Sequence, residues 1–177
     1  MTPGAVAERA NHIATVRADD AADVAALRTA MIAAREIAAW VSAQQAALAA
    51  KLSGLESFPE ASIAAATKGS LADAVKVRER ADTLAAAPRL AGALDDGAIT
   101  AGHIDALTRA SKQVPGAQRD ELFDRIDALV GVAEASNVEQ FSQRIKLEVK
   151  RMQTDGGEDR LERQRRSVRL RSWTDDE

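Results

Sequence analysis

VAALRTAMIAAREIAAWVSAQQAALAAKLSGLESFP, residues 24–59, is the stretch that decides how this chain is built. Val24, Leu27, Met31, Ala34, Ala38, Val41, Gln45, Leu48, Leu52 and Leu55 follow one another at alternating steps of three and four residues. An α-helix turns once in about 3.6 residues, so this spacing lines all ten along one side as a heptad seam. The pattern predicts one continuous helix from Asp20 to about Ser53. Ile37 and Trp40 add a second, weaker apolar stripe. Ser53-Gly54 and Phe58-Pro59 stop the helix, since Gly suits a C-cap and Pro cannot continue one. The seam has two uses open to it. It can face the core of its own domain, or it can form a coiled coil with a second copy. In a coiled coil the polar Gln45 would help to fix register.

Working outward, residues 1–19 carry a charge every few positions and read as a flexible N-terminus without an apolar signal segment. Downstream, Ser70 is a suitable N-cap for a helix carrying Leu71, Val75 and Leu84 toward Pro88. A short helix, PRLAGALDDG, breaks at Asp95-Asp96-Gly97, and Thr100 then caps a helix through Ile104 and Leu107. Pro115-Gly116 precedes a face of Leu122, Ile126, Leu129 and Val130. Ser136 or Asn137 caps a further helix that buries Val138, Phe141, Ile145 and Met152 and carries Arg144, Lys150 and Arg151 on its outer side. After Gly156-Gly157 comes a short Arg-rich helix. Val168 and Leu170 then alternate with Arg169 and Arg171, the period of a β-strand. The expected organisation is therefore a flexible 1–19, a helical domain over 20–156, and an Arg-rich helix with a short terminal strand over 157–177. The fold class is all-α.

Aromatic residues make up 3% of the chain while Ala is abundant, which favours closely packed helices over a thick aromatic core. There is no cysteine, hence no disulfide and no thiolate metal site. No apolar run approaches membrane-spanning length, and the expected location is the cytoplasm. The net charge of −3 offers nucleic acid no overall attraction, but its distribution is uneven. Residues 160–171 hold six Arg and one Glu, a net +5 that leaves −8 on the remainder. Any phosphate contact would therefore fall to Arg160, Arg163, Arg165, Arg166, Arg169 and Arg171, aided by Arg144, Lys150 and Arg151.

Neither G-x-x-x-x-G-K-[ST] nor G-x-G-x-x-G occurs, and no His pair has metal-binding spacing. Asp95, Asp96, His103 and Asp105 lie close in sequence. They read as a turn followed by helix-capping groups, because Asp bonds nearby backbone in turns and complements a helix N-terminus. No catalytic residue, metal or cofactor is expected.

LAGALDDGAITAGHIDALTRA, residues 90–110, continues through DELFDRIDALVGVAEASNVEQFSQRIKLEVKR to RQRRSVRLRSWTDDE. In that order these segments resemble the N-terminal helical domain of unknown function of high-GC bacterial HNH endonuclease-like proteins, the thirteen-E-twelve repeat family. The resemblance covers roughly residues 20–177. It implies that the basic strand begins a C-terminal HNH nuclease module. No His follows His103, so neither the general base nor the metal ligand of an HNH motif maps onto this sequence, and no catalytic role is carried over. ITAGHIDAL, residues 99–107, is also similar to a capped helix in plasmid-partition DNA-binding proteins. Three readings follow. The chain is a non-catalytic DNA-binding or targeting domain, a structural or oligomerising helical protein that forms a homodimer through the long helix, or a truncated nuclease fragment that needs a separately encoded HNH module.

Overall fold

The computed structural model describes residues 1–153, and among these every regular element is helical. The first correction comes at the N-terminus. Residues 1–19, expected to be flexible, contain α1 (Pro3–Ala18). Thr2 caps it by accepting a hydrogen bond from the Ala5 N–H at 3.3 Å, and Pro3 supplies a first-turn φ without losing a needed donor. A short turn from Asp19 to Asp23 reverses the chain into α2 (Val24–Ser53). The Asp23 carboxylate accepts from the Ala26 N–H at 2.7 Å and so starts α2 at Val24, a turn later than the pattern suggests. Arg9 on α1 pairs with Glu36 on α2 at 2.6 Å. No residue of α1 is fully buried, but Val6, Ile13 and Val16 share a face with Arg9 and are half-buried, so the hairpin combines the Arg9–Glu36 pair with a partly covered apolar stripe.

α2 packs against α4 (Leu71–Ala86), α5 (Pro88–Asp95) and α6 (Ala101–Ser111), with α3 (Pro59–Thr67) filling the corner beside α4. The face that α2 buries is made of Ala30, Ala33, Ala39, Ala46 and Ala49. Alanine carries only a methyl group, so the neighbouring backbones can approach closely. α4 does the same. Its buried residues are Ala74, Ala81 and Thr83, while Leu71 at its first turn is exposed. Thr83 hydrogen-bonds Thr108 of α6 at 2.7 Å, so two buried hydroxyls satisfy each other.

Most of the larger apolar residues that are fully buried lie in the second half of the chain. A core of Leu90, Leu94, Ile99, Ile104, Leu107, Leu122, Ile126, Phe141, Ile145 and Met152 joins α5, α6, α7 (Arg119–Asp127) and α9 (residues 138–153). α8 (Val130–Ala135) closes it through Ala133. A smaller core of Ala46, Ala49, Ile63, Ala74 and Ala81 sits between α2, α3 and α4, and Leu84 packs on both. Asn137, not Ser136, caps α9. Its side-chain carbonyl accepts from the Gln140 N–H at 2.9 Å, while the Gln140 side chain accepts from the Asn137 N–H at 3.1 Å. The Arg-rich helix and terminal strand expected over 157–177 lie outside the described residues, as do Arg160, Arg163, Arg165, Arg166, Arg169 and Arg171.

Candidate association surface

The seam does not face the core of its own domain. Val24, Leu27, Met31, Val41 and Leu48 are all exposed, with Met31 at 73% and Leu48 at 61% of their full accessible area. Ala34 and Ala38 between them are exposed as well, and Gln45 is half-buried. Leu52 alone packs partly inward, against the smaller core. This corrects the reading of the seam as a core-facing stripe. The domain takes the alanine side of α2 and leaves the side of larger residues in water. Leu55, just past the helix end, and Phe58 are also exposed. The result is a strip of apolar side chains along a helix of 30 residues, on the order of 45 Å at about 1.5 Å per residue. Asp23, Arg28, Lys51 and Glu56 flank it near its two ends, all exposed. A contiguous exposed apolar surface rimmed by polar groups marks a site of association.

The basic candidates on α9 are differently placed. Glu148 is 6% exposed, and its Oε1 accepts from Arg144 at 3.0 Å and from Arg151 at 2.9 Å. One buried carboxylate thus holds both guanidinium groups, which reduces what either can offer to a phosphate. The Arg144 Nε lies buried in the same cluster with no hydrogen-bond partner. Lys150 is exposed on α9.

The acidic residues around His103 are dispersed among structural tasks. Asp95 accepts from the Met1 ammonium at 2.8 Å and from Gln44 at 2.7 Å. The hydrogen bonds to Asp95, and then to Asp96, raise the Met1 amino group above its ordinary range. Asp105 receives both Nε and Nη2 of Arg80. His103 is 4% exposed, and its Nδ1 accepts from the Thr100 N–H at 3.2 Å. That fixes the remaining proton on Nε2, which donates to the Ser136 carbonyl at 3.1 Å. The ring also lies against Phe141, centroids 5.5 Å apart. The histidine therefore ties the start of α6 to the α8–α9 corner. Among the described residues no group of three or more His, Asp or Glu could hold a metal ion.

A cavity of about 440 Å³ opens between α4 and α6, lined by Lys76, Glu79, Asp105, Thr108 and Arg109. Its carboxylates are already paired, Glu79 with Lys112 and Asp105 with Arg80. Beside it, Asp73 is lowered below the usual carboxylate range by the Ser70 hydroxyl and then by Lys76. A second groove of about 380 Å³, lined by Glu8, Arg9, His12, Thr29, Ile32, Ala33 and Glu36, follows the α1–α2 hairpin. In the first, Lys76 is also bound to Asp73 and the Thr108 hydroxyl to Thr83 and Ile104. In the second, Arg9 is paired with Glu36, so the polar groups of both are largely engaged within the protein. No described helix is long and apolar enough to cross a membrane. No family model matches the chain, and neither a curated protein nor a solved structure does.

Proposed function

We propose that the chain is a non-catalytic helical domain of an HNH endonuclease-like protein, and that it works as a self-association module through α2. The sequence resemblance supports the first part. The second rests on one observation: the heptad seam of α2 lies on the solvent side of the helix, with Met31 and Leu48 mostly exposed. A heptad seam in water has a ready partner in another helix, because knobs of one fill holes of the other.

Sedimentation of the parent protein and of a Leu27→Lys, Leu48→Lys double variant tests this. Leu27 and Leu48 are 48% and 61% exposed, so pairing covers roughly half a leucine at each, about 1 kcal/mol apiece. Two-fold symmetry counts each loss twice, so the double variant weakens a dimer by about 4 kcal/mol, roughly a thousandfold in Kd. Both sites are on the surface of the isolated domain, so the fold itself stays intact. A parent that stays monomeric up to high concentration, or a double variant that dimerises equally well, refutes the reading.

A second reading is DNA binding or targeting through Arg160, Arg163, Arg165, Arg166, Arg169 and Arg171. It is favoured by the net +5 of residues 160–171 against −8 elsewhere. Such binding would be phosphate-directed and strongly salt-dependent.

A further inference from the structure

We infer that the partner on α2 is a second copy of the same helix laid antiparallel, in the register that sets Met31 opposite Leu48. This rests on the self-association proposed above and adds its geometry. The residues that matter are those whose sizes differ most. In the antiparallel register Met31 meets Leu48 of the second copy, Ala34 meets Gln45, and Ala38 meets Val41. The same pairs recur on the other side of the two-fold axis. Every small residue then faces a larger one, and the separation between helices stays even along the seam. A parallel pair would instead stack Ala34 on Ala34 and Ala38 on Ala38 between layers of Met31 and Val41. Two adjacent layers would be hollow. Shifting the antiparallel register by a heptad in one direction sets Ala34 against Ala38, and in the other it leaves Leu27 without a partner.

The polar groups also accept the arrangement. Gln45 opposite Ala34 has room for its amide and keeps an outlet to the rim. At each end the exposed Asp23 lies on the same flank of the pair as Lys51 of the second copy, five residues or about 7.5 Å off level along the axis. The interface is isologous, and each contact occurs twice.

The chain has no cysteine, so single cysteines report on this directly. Met31→Cys and Leu48→Cys are made separately in the full chain, both at exposed positions, and oxidised alone and as an equal mixture. In the antiparallel register the two introduced thiols of a Met31→Cys dimer lie about 25 Å apart at 1.5 Å rise per residue, far beyond disulfide reach. A covalent species of twice the chain mass is expected in the mixture and in neither variant alone. If Met31→Cys crosslinks with itself, the pairing is parallel and this inference falls while self-association stands. A dimer by sedimentation that crosslinks in none of the three samples places the interface elsewhere and also overturns it. A monomer by sedimentation with no crosslink overturns the association itself.

Discussion

Replacing His103 by Ala separates a histidine that holds the fold from one reserved for chemistry. The side chain is 4% exposed and is hydrogen-bonded at both ring nitrogens, on opposite sides of the ring. Its Nδ1 accepts the Thr100 N–H at 3.2 Å, closing the capping box at the start of α6. Losing such a cap costs about 1 kcal/mol. Its Nε2–H donates to the Ser136 carbonyl at 3.1 Å, and a buried acceptor left without a donor costs about 1–3 kcal/mol. Contact with the Phe141 ring adds about 0.5–1.5 kcal/mol. Together the loss is about 3–5 kcal/mol, a large part of the roughly 5–15 kcal/mol that holds a domain folded. For a chain of this size it lowers Tm by on the order of 10 °C. Urea unfolding followed by far-ultraviolet circular dichroism measures it. His12→Ala is the internal control, because His12 is exposed on α1 and its loss is expected to stay within about 0.5 kcal/mol. If His103→Ala comes within about 1 kcal/mol of the parent, the ring is not the tie between α6 and the α8–α9 corner, and its hydrogen bonds contribute nothing net to folding.

Gly97 has φ +78°, and a Cβ there would lie 3.0 Å from the Glu36 Cα and 2.9 Å from its Cβ. Gly97→Ala therefore combines backbone strain with a clash against α2 and is expected to cost about 2–4 kcal/mol, whereas Gly92→Ala, with open space around it, is expected to be neutral or stabilising. Thermal melts of the two variants check this. Thr2→Ala removes the cap of α1 and is expected to speed amide hydrogen exchange in residues 6–18 while leaving α5 to α7 unchanged. An N-terminus that exchanges as fast in the parent as in the variant contradicts an ordered α1. Replacing Arg165, Arg166, Arg169 and Arg171 by Ala is expected to flatten the salt dependence of DNA binding, by about 0.9 in log–log slope for each phosphate no longer neutralised. Fluorescence anisotropy that finds no difference between parent and variant rules out these arginines as the DNA-binding groups.

The helical class and most of the caps could be read from local pattern. Ser70, Thr100 and the Asn137–Gln140 pair each act within four residues of themselves, a range that sequence spacing describes well. The orientation of α2 could not be read that way. Periodicity says which residues share a side, not which side the domain covers. With Ala on nearly every face, α2 has two apolar sides, and the domain took the one allowing closer backbone approach. The start of α5 shows a second limit. Ala87 has no side chain to cap it, so the N–H groups of Arg89 and Leu90 donate to Asp127 at 2.8 and 3.0 Å, from a residue at the end of α7. No local signal points there. Other features were legible but easily passed over. Thr2-Pro3 is a sound helix start, and Glu148 stands four residues after Arg144 and three before Arg151, where one carboxylate reaches both.

The unequal cores have a consequence for how the molecule comes apart. α2 runs past both of them, giving Ala39 to the larger cluster and Ala46 and Ala49 to the smaller. The smaller one is mostly alanine around Ile63, so little apolar area is lost when it opens. Opening is therefore expected to begin with α3 and the adjoining end of α4, ahead of global unfolding, as a cooperative unit of low local stability. Exchange along the single unbroken helix α2 should then be graded, with amides near Ala39 the slowest and those near Leu52 released first. A rod that is geometrically continuous is in this sense energetically divided, firm where the large side chains gather beside it and loose where mostly alanines do.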